Sequence, residues 1–366
     1  MTMNRRDALK LAGGTALVGS FIGQALAKAK PLKVLILGGT GFIGPHFVRV
    51  LMEHGHTVTL FNRGKRDPEV HPGVEQLLGD RNGQVDTLKG RDWDVCIDNS
   101  GYKPSQVKLT AELLQPHIKH YIFISSVSAY ADYVSTNIDE DYKLATLKDP
   151  SNEEVTGETY GGLKAVCERI VQKTYGKVAN VIRPTYIAGP GDPTDRFTYW
   201  PVRVARGGEM LAPGTAADPI GYIDVRDLAE FVRTCVENRT GGVFNLCNKP
   251  RSATMGDLLE KSKSISGADA TFTWASGEFL DKHGMSEDAA PPNAIPIWTP
   301  QTGDSAGFAL IKCDRAVAKG LKFRPLDATI RDTLEWWKAK PVDKQKLKAG
   351  LPPEKEAELL KALHSA

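Results

Sequence analysis

Cysteine is scarce in this chain of 366 residues: Cys96, Cys167, Cys235, Cys247 and Cys313 are scattered, and no two form a C-x-x-C pair. That pattern excludes a zinc ribbon or a redox dithiol motif and reads as buried, inert thiols. The eight histidines form no H-E-x-x-H or comparable group, so no metal site is expected. The formal net charge is only +3 and the body of the chain has no long Lys/Arg run, which argues against nucleic acid as a partner. No apolar run reaches the roughly 20 residues that a membrane span needs, so no stable membrane anchor is expected. Repeats and low-complexity segments are also lacking. What remains is 41% hydrophobic and 25% charged, an ordinary globular balance, in a length that suits one large domain or two closely joined ones.

The first 27 residues differ from the rest. Asn4-Arg5-Arg6-Asp7-Ala8-Leu9-Lys10 leads into a glycine-diluted apolar run, Leu11 to Ala27, ending in the small-x-small Ala25-Leu26-Ala27. This resembles a twin-arginine export signal, with Asn4 and Ala8 off the common pattern. The expectation is a signal peptide over 1–27, a mature chain starting at Lys28, the twin-arginine export machinery as a partner, and a periplasmic location. A cytoplasmic or membrane-anchored protein is the alternative.

Lys33 to Leu37 is a short continuous apolar run, as expected of a buried parallel strand. Strand-like runs follow at His56 to Phe61, Val74 to Leu78, Val95 to Ile97, Tyr121 to Ile124 and Val178 to Ile182, with helical spacing between them, for example at Val107 to Leu114 and Tyr160 to Val171. The alternation predicts the α/β class: a Rossmann doubly wound parallel sheet with a smaller C-terminal substrate-binding lobe. The nucleotide domain is placed at 31–185, with 219–248 returning to it through Ile220 to Ile223 and Val243 to Leu246. The substrate lobe is placed at 186–218 and 249–340, and a solvated peripheral tail helix at 341–366.

Between the first strand and the first helix lies Gly38-Gly39-Thr40-Gly41-Phe42-Ile43-Gly44. Gly38 is expected to permit the tight turn, Gly41 the approach of a pyrophosphate, and Gly44 close packing of helix on strand. The phosphates would meet the positive helix end and its unpaired N–H groups. The second strand ends not in the acid that would hold ribose hydroxyls but in Asn62-Arg63-Gly64-Lys65-Arg66. An acid would repel a 2′-phosphate, whereas Arg63 can grip it as a fork, so NADP is favoured with NAD as the alternative.

Tyr160-Gly161-Gly162-Leu163-Lys164 places a phenol and an ammonium on one helical face. Lys164 and an oxidised nicotinamide are expected to lower the tyrosine's pKa, so that Tyr160 exchanges a carbinol proton while hydride moves. Lys164 would also anchor the nicotinamide ribose.

With Ile122-Phe123-Ile124-Ser125-Ser126-Val127-Ser128-Ala129-Tyr130 some 30 residues upstream, these motifs resemble the extended short-chain dehydrogenase/reductases, in particular the NAD-dependent epimerase/dehydratase group. The resemblance spans roughly Lys33 to Trp337. It implies Ser126 as the catalytic serine, with Ser128 as substitute, and Asp80 as the contact to the adenine amino group. It further places Ser100 and Gly101, in Asp98-Asn99-Ser100-Gly101, at a cofactor-lining strand end, and Arg183-Pro184 beside the nicotinamide. Tyr222-Ile223-Asp224-Val225-Arg226-Asp227-Leu228-Ala229 matches the group's downstream V-x-D-x-A-like segment, with a structural role expected. Leu37 and Asn62-Arg63 depart from the group's pattern.

For a substrate, Arg196, Arg203 and Arg206 are the candidate cations, and Trp298 is a candidate lid residue. The leading expectation is a cofactor-retaining epimerase or dehydratase that oxidises and re-reduces a sugar-like carbinol. An NADP-dependent reductase comes second. A non-catalytic RNA-binding or structural member comes third, because the pattern is also similar to chloroplast stem-loop RNA-binding proteins. A homodimer is a further possibility.

Overall fold

The structure is a computed structural model that describes residues 30–65, 71–286 and 293–365. The export-signal reading and Arg66 therefore lie outside the described residues. In chain order the first half runs β1 (Lys33–Leu37), α1 (Gly44–Glu53), β2 (Thr57–Asn62), β3 (Glu75–Leu78), β4 (Val95–Asp98), α2 (Pro104–Leu114), β5 (His120–Ile124), α3 (Gly157–Tyr175) and β6 (Ala179–Pro184). The second half runs β7 (Tyr186–Ala188), α4 (Tyr199–Val204), β8 (Glu209–Pro213), β9 (Tyr222–Asp224), α5 (Val225–Asn238), β10 (Gly242–Leu246) and α6 (Met255–Ser266). It ends with β11 (Thr271–Ala275), α7 (Gly277–Lys282), α8 (Asp314–Ala318), α9 (Leu326–Lys338) and α10 (Pro353–His364).

Seven strands form one parallel sheet in the order β10-β6-β5-β4-β1-β2-β3. Its middle strands carry continuous apolar runs because helices cover both faces: Val34 to Leu37 and Tyr121 to Phe123 are wholly buried. The chain moves outward from β1 to β2 and β3, then crosses back to β4. That reversal leaves a crevice at the carboxyl ends of β1 and β4, where this kind of sheet binds ligands. Helix α3 starts on a capping box in which Thr156 and Thr159 bond each other's backbone N–H, so the register of the Tyr160 helix is set at its first turn.

Two small parallel sheets, β8 with β11 and β7 with β9, stand apart from the large one. The Ile220–Ile223 patch thus corrects the expectation in part. Its strand, β9, pairs with β7 outside the large sheet, whereas β10 does join the large sheet beside β6. Trp298 is no lid residue: it is buried, and its indole N–H donates to Asp218 Oδ2 at 2.7 Å.

The tail also departs from expectation. Helix α10 is docked rather than solvated, with Leu359 wholly buried and Glu356 buried beside it. Glu356 Oε2 accepts from Arg203 Nε at 2.6 Å, and its other oxygen accepts from Leu211 N at 3.2 Å. Arg203 also donates to the carbonyls of Gly207 and Glu209. All three guanidinium nitrogens are therefore bonded inside the protein, which removes Arg203 from the substrate candidates.

Removing one partner of a buried pair leaves the other charge unpaired. Glu356→Leu is expected to cost roughly 3–5 kcal/mol, and adding Arg203→Met should recover part of that loss. Equilibrium urea unfolding checks it. Equal midpoints for wild type and Glu356→Leu would show that the tail contributes nothing to the lobe.

Candidate active site

A cleft of about 510 Å³ opens at the carboxyl ends of β1, β2, β3 and β4. Gly38, Thr40 and Gly41 form one wall, Asn62 and Arg63 a second, and Asp80 and Ser100 a third. Gly38 turns through φ +101°, and a Cβ there would stand 2.9 Å from Ser100 Cβ. A Cβ on Gly44 would overlap the Gly39 peptide, so Gly44 lets α1 begin tight against the loop itself, not against the strand as expected. Helix α1 has no side-chain cap and no acid in its first turn. Its N-terminal N–H groups face no built-in anion, and this suits a phosphate. Shape and donor set together fit a dinucleotide.

The other predicted cofactor residues divide into two groups. Asn62 is committed to the loop: its amide donates to Gln76 Oε1 at 3.0 Å and accepts from Gly64 N at 2.8 Å. This leaves the exposed Arg63, with Lys65, as the cationic rim of the cleft. The Asp80 carboxylate accepts from Asn82 N, and Ser100 Oγ donates to Leu37 O at 3.1 Å. Phe42 and Ile43 stand behind the wall, with Phe42 edge-on to His46 and Ile43 at the start of α1. Pro184 is buried at the end of β6.

Under the cleft lies an arrangement that sequence reasoning missed. Arg81 donates to both oxygens of Asp98, at 2.6 and 2.8 Å, and to Thr110 Oγ1 at 2.7 Å. Tyr121 OH donates to the same carboxylate at 2.8 Å. Asp98 Oδ1 in turn accepts from Ser100 N, so a buried ion pair fixes the turn that carries Ser100 and Gly101. An arginine next to a turn aspartate reads as a solvated residue, and nothing local marks it as a floor.

Beside Tyr102, which lines the cleft, the expected residues converge. Ser125 Oγ donates inward to Glu168 Oε1 at 2.5 Å, and Glu168 is also paired with Arg183. Ser126 is left to face the helix, where its hydroxyl pulls the Tyr160 phenol's pKa down. Ser128 is close by: Ser126 Oγ donates to Ser128 Oγ at 3.0 Å, and Ser128 N donates back to Ser126 Oγ at 3.1 Å. Gly161, which sequence reasoning passed over, makes this approach possible, since a Cβ there would overlap the Ser128 carbonyl oxygen. Lys164 Nζ donates to Gly101 O at 2.9 Å and to Ile124 O at 2.7 Å. Burial lowers its pKa to about 8.

Burial likewise raises Tyr160, to about 12, and the neighbouring Tyr102 phenol adds to the rise. Ser126 and the Arg196 guanidinium pull the other way. The expected lowering by Lys164 is therefore not the main influence on the phenol, because that ammonium is turned to the two strand-end carbonyls. Tyr102, also missed, lines the cleft and sits 6.4 Å ring to ring from Tyr160 and 5.2 Å from Lys164 Nζ. It joins the nucleotide cleft to the reacting end. Among the predicted substrate residues, Arg196 comes within electrostatic reach of Tyr160, whereas Arg203 is locked to Glu356 and Arg206 is exposed past the end of α4. Asp224 has the structural role expected of its segment: it caps α5, pairs with Arg226 and accepts from Thr329. Among the described residues no cluster of His, Cys, Asp or Glu could hold a metal ion, and no helix is long and apolar enough to cross a membrane.

Known proteins share this pattern. The chloroplast stem-loop binding protein of 41 kDa b from Arabidopsis thaliana is 28% identical over 234 residues, 58% of each chain. The chain therefore matches little more than half of that protein's length. The UDP-glucose 4-epimerase of Lactobacillus helveticus is 22% identical over 317 residues, 74% of this chain and 92% of that one. The solved structure of the Bordetella bronchiseptica enzyme WbmH in complex with NAD+ shares the fold, with a TM-score of 0.60 at 14% identity over 86% of this chain and all of that one. The model of the NAD dependent epimerase/dehydratase family matches residues 34–247, and with the nucleotide cleft and the Ser126–Tyr160–Lys164 group in place, the chain belongs to that family.

Proposed function

We propose that this chain oxidises a carbinol of a sugar-like substrate and re-reduces the product within one binding event, so that the nicotinamide cofactor is retained and the cycle is redox-neutral. The observation that carries this is that Tyr160 and Lys164, one helical turn apart, both stand against Tyr102, which lines a cleft built for a dinucleotide, with Ser126 acting on the same phenol. When bound, the nicotinamide supplies hydride transfer. Gly38, Thr40, Gly41, Ser100 and Asp80 would hold the dinucleotide, and two of the three Lys164 donors are already fixed on Gly101 O and Ile124 O. Ser126 orients the carbinol oxygen. Tyr160 accepts the hydroxyl proton at its phenol oxygen during oxidation and returns it during re-reduction. With its pKa raised to about 12, Tyr160 is a proton donor at neutral pH, and phenolate, the proton acceptor, becomes more abundant as pH rises. Turnover limited by the oxidation half should therefore increase with pH.

The substrate we infer is a free or glycosidic sugar rather than a sugar nucleotide. The Arg203 and Arg206 pair that would grip a diphosphate is not assembled, since one is buried against Glu356 and the other exposed beyond α4. We also infer export by the twin-arginine route, on the Arg5-Arg6 segment and the cleavage pattern at Ala25-Leu26-Ala27. Retention of cofactor agrees with a location that offers no supply of fresh reduced nicotinamide. For the cofactor we infer NADP over NAD, on the cationic rim of Arg63 and Lys65 where an acid would otherwise stand.

Each of these has a direct test. Tyr160→Phe should keep nucleotide binding and lower turnover by roughly 10², the contribution of a general acid–base. The assay incubates the purified protein with free sugars, glycosides and UDP-sugars and follows epimer or dehydration product by NMR. Unchanged turnover in Tyr160→Phe would remove the tyrosine from the reaction. Arg63→Ala should weaken NADP more than NAD in titration calorimetry, because only NADP offers the guanidinium a 2′-phosphate; equal losses would refute this reading. Changing Arg5 and Arg6 together to Lys should trap the protein in the cytoplasm, as seen by cell fractionation. Wild-type protein confined to the cytoplasm would overturn export.

A further inference from the structure

We propose that a second cavity, of about 280 Å³, binds a small oxyanion: a phosphate or carboxylate group carried on a body of monosaccharide size. It lies where β9 and the start of α5 meet the loop before α6 and the segment leading into α9. Among the described residues, none that lines it also lines the nucleotide cleft. Its volume stands at the small end of ligand pockets, which suits a small metabolite rather than a dinucleotide. Phe323, Pro325 and Leu326 give it an apolar side.

Each carboxylate and amide side chain in this wall is already bonded. Asp224 accepts from Arg226 N and Nε at one oxygen, and from Arg226 Nη2 and Thr329 Oγ1 at the other. Asp227 accepts from Arg324 N at 2.9 Å and from Arg324 Nε at 2.7 Å. Asn248 accepts from Tyr222 N and donates to the carbonyls of Ile220 and Lys249 and to Ser252 Oγ. What remains is donors. Arg324 spends only Nε and its backbone N–H, so its two Nη groups have no partner among the described residues. The exposed Lys249 ammonium has none either. Ser252 Oγ accepts from Asn248 and keeps its own proton to give.

Tyr222 is the strongest pointer, for it is only 7% exposed. Its ring packs on Phe197 with centroids 5.6 Å apart, yet its hydroxyl has no hydrogen-bond partner among the described residues. A buried phenol ordinarily finds one. The oxygen is unpaired but not sealed in the core, so it opens onto the cavity that the residue lines. Burial, with the charges of Asp224 and Asp227, pushes the phenol's pKa up, and at neutral pH it is a donor. The first turn of α9 has no side-chain cap and adds its positive end beside Pro325 and Leu326. The acid in that turn, Asp327, is already paired with Lys261 Nζ at 2.6 Å. A ligand that brings acceptors and negative charge satisfies all these groups at once, and the guanidinium edge matches the paired oxygens of a phosphate or carboxylate. A metal ion would meet no carboxylate without a partner.

Inorganic phosphate and glucuronate serve as probes, each titrated by calorimetry into the full chain with NADP added to saturation, so that the first cleft is filled. Tyr222→Phe and Lys249→Met are titrated alongside wild type. Both spare the pairing of Arg324 with Asp227, and thermal melting of the unliganded variants checks that the fold is kept. At least one probe should bind wild type, and each variant should weaken it about tenfold, as for a lost hydrogen bond to a charged group. Binding of phosphate alone marks a phosphoryl group as the ligand's anion, and binding of glucuronate alone marks a carboxylate; either carries the proposal. Absence of binding by both probes would overturn it. So would wild-type affinity in both variants, since the anion would then sit elsewhere. Turnover is not measured, so the result stands apart from the reaction proposed for Tyr160.

Discussion

The Lys164 ammonium reaches from α3 to two strand ends at once, donating to Gly101 O beyond β4 and to Ile124 O at the end of β5. A buried amine that lost them would be an unsatisfied charge, and they would be buried acceptors without a donor. The bond pair therefore sets the height of α3 over the sheet, and with it the position of Tyr160 one turn earlier on the same face. Ser126 follows two residues after Ile124, so the serine and the tyrosine are measured from a common point. Proton chemistry that tolerates little misplacement is served by one side chain spanning three elements.

Around that span the protein uses buried ion pairs where an apolar core would be simpler. Arg81 with Asp98 holds the floor of the nucleotide cleft, and Arg183 with Glu168 lies beneath Ser125. Each costs desolvation that a hydrophobic pair would avoid, so their net gain in stability is small. What they provide is direction. A carboxylate that accepts from Arg81, Tyr121 and the Ser100 N–H has one orientation, and the Ser100 turn inherits it. Glu168 does the same for Ser125: by drawing that hydroxyl inward it decides which of two adjacent serines meets Tyr160.

The half of the site that binds nucleotide was legible in the sequence because its signals are local. Continuous apolar runs gave the parallel strands, glycine spacing gave the turn before α1, and the four-residue step from Tyr160 to Lys164 needed only helical periodicity. Strand limits moved by one or two residues without consequence. The misses share a different cause. Arg81 and Asp98 are 17 residues apart, Arg203 and Glu356 are 153 apart, and each member alone looks like an ordinary solvated charge. Gly161 beside Tyr160 carried no signal either, because the reason for a glycine there is the Ser128 carbonyl, which sequence spacing does not bring near.

The same contrast bears on why family membership tells more about the cofactor than about the substrate. The region matched by the family model stops at residue 247, whereas the contacts that shape the substrate side begin inside it and end outside it. Asp195 is held by Lys340 and Lys348, Arg203 by Glu356, and the Tyr186 stack by Phe308. The last 60 residues thus hold Arg203 inside the protein and brace the segment around Asp195. A chain can keep the glycine turn, the serine and the tyrosine while rearranging these distant supports. The nucleotide half can then stay recognisable while the substrate half changes.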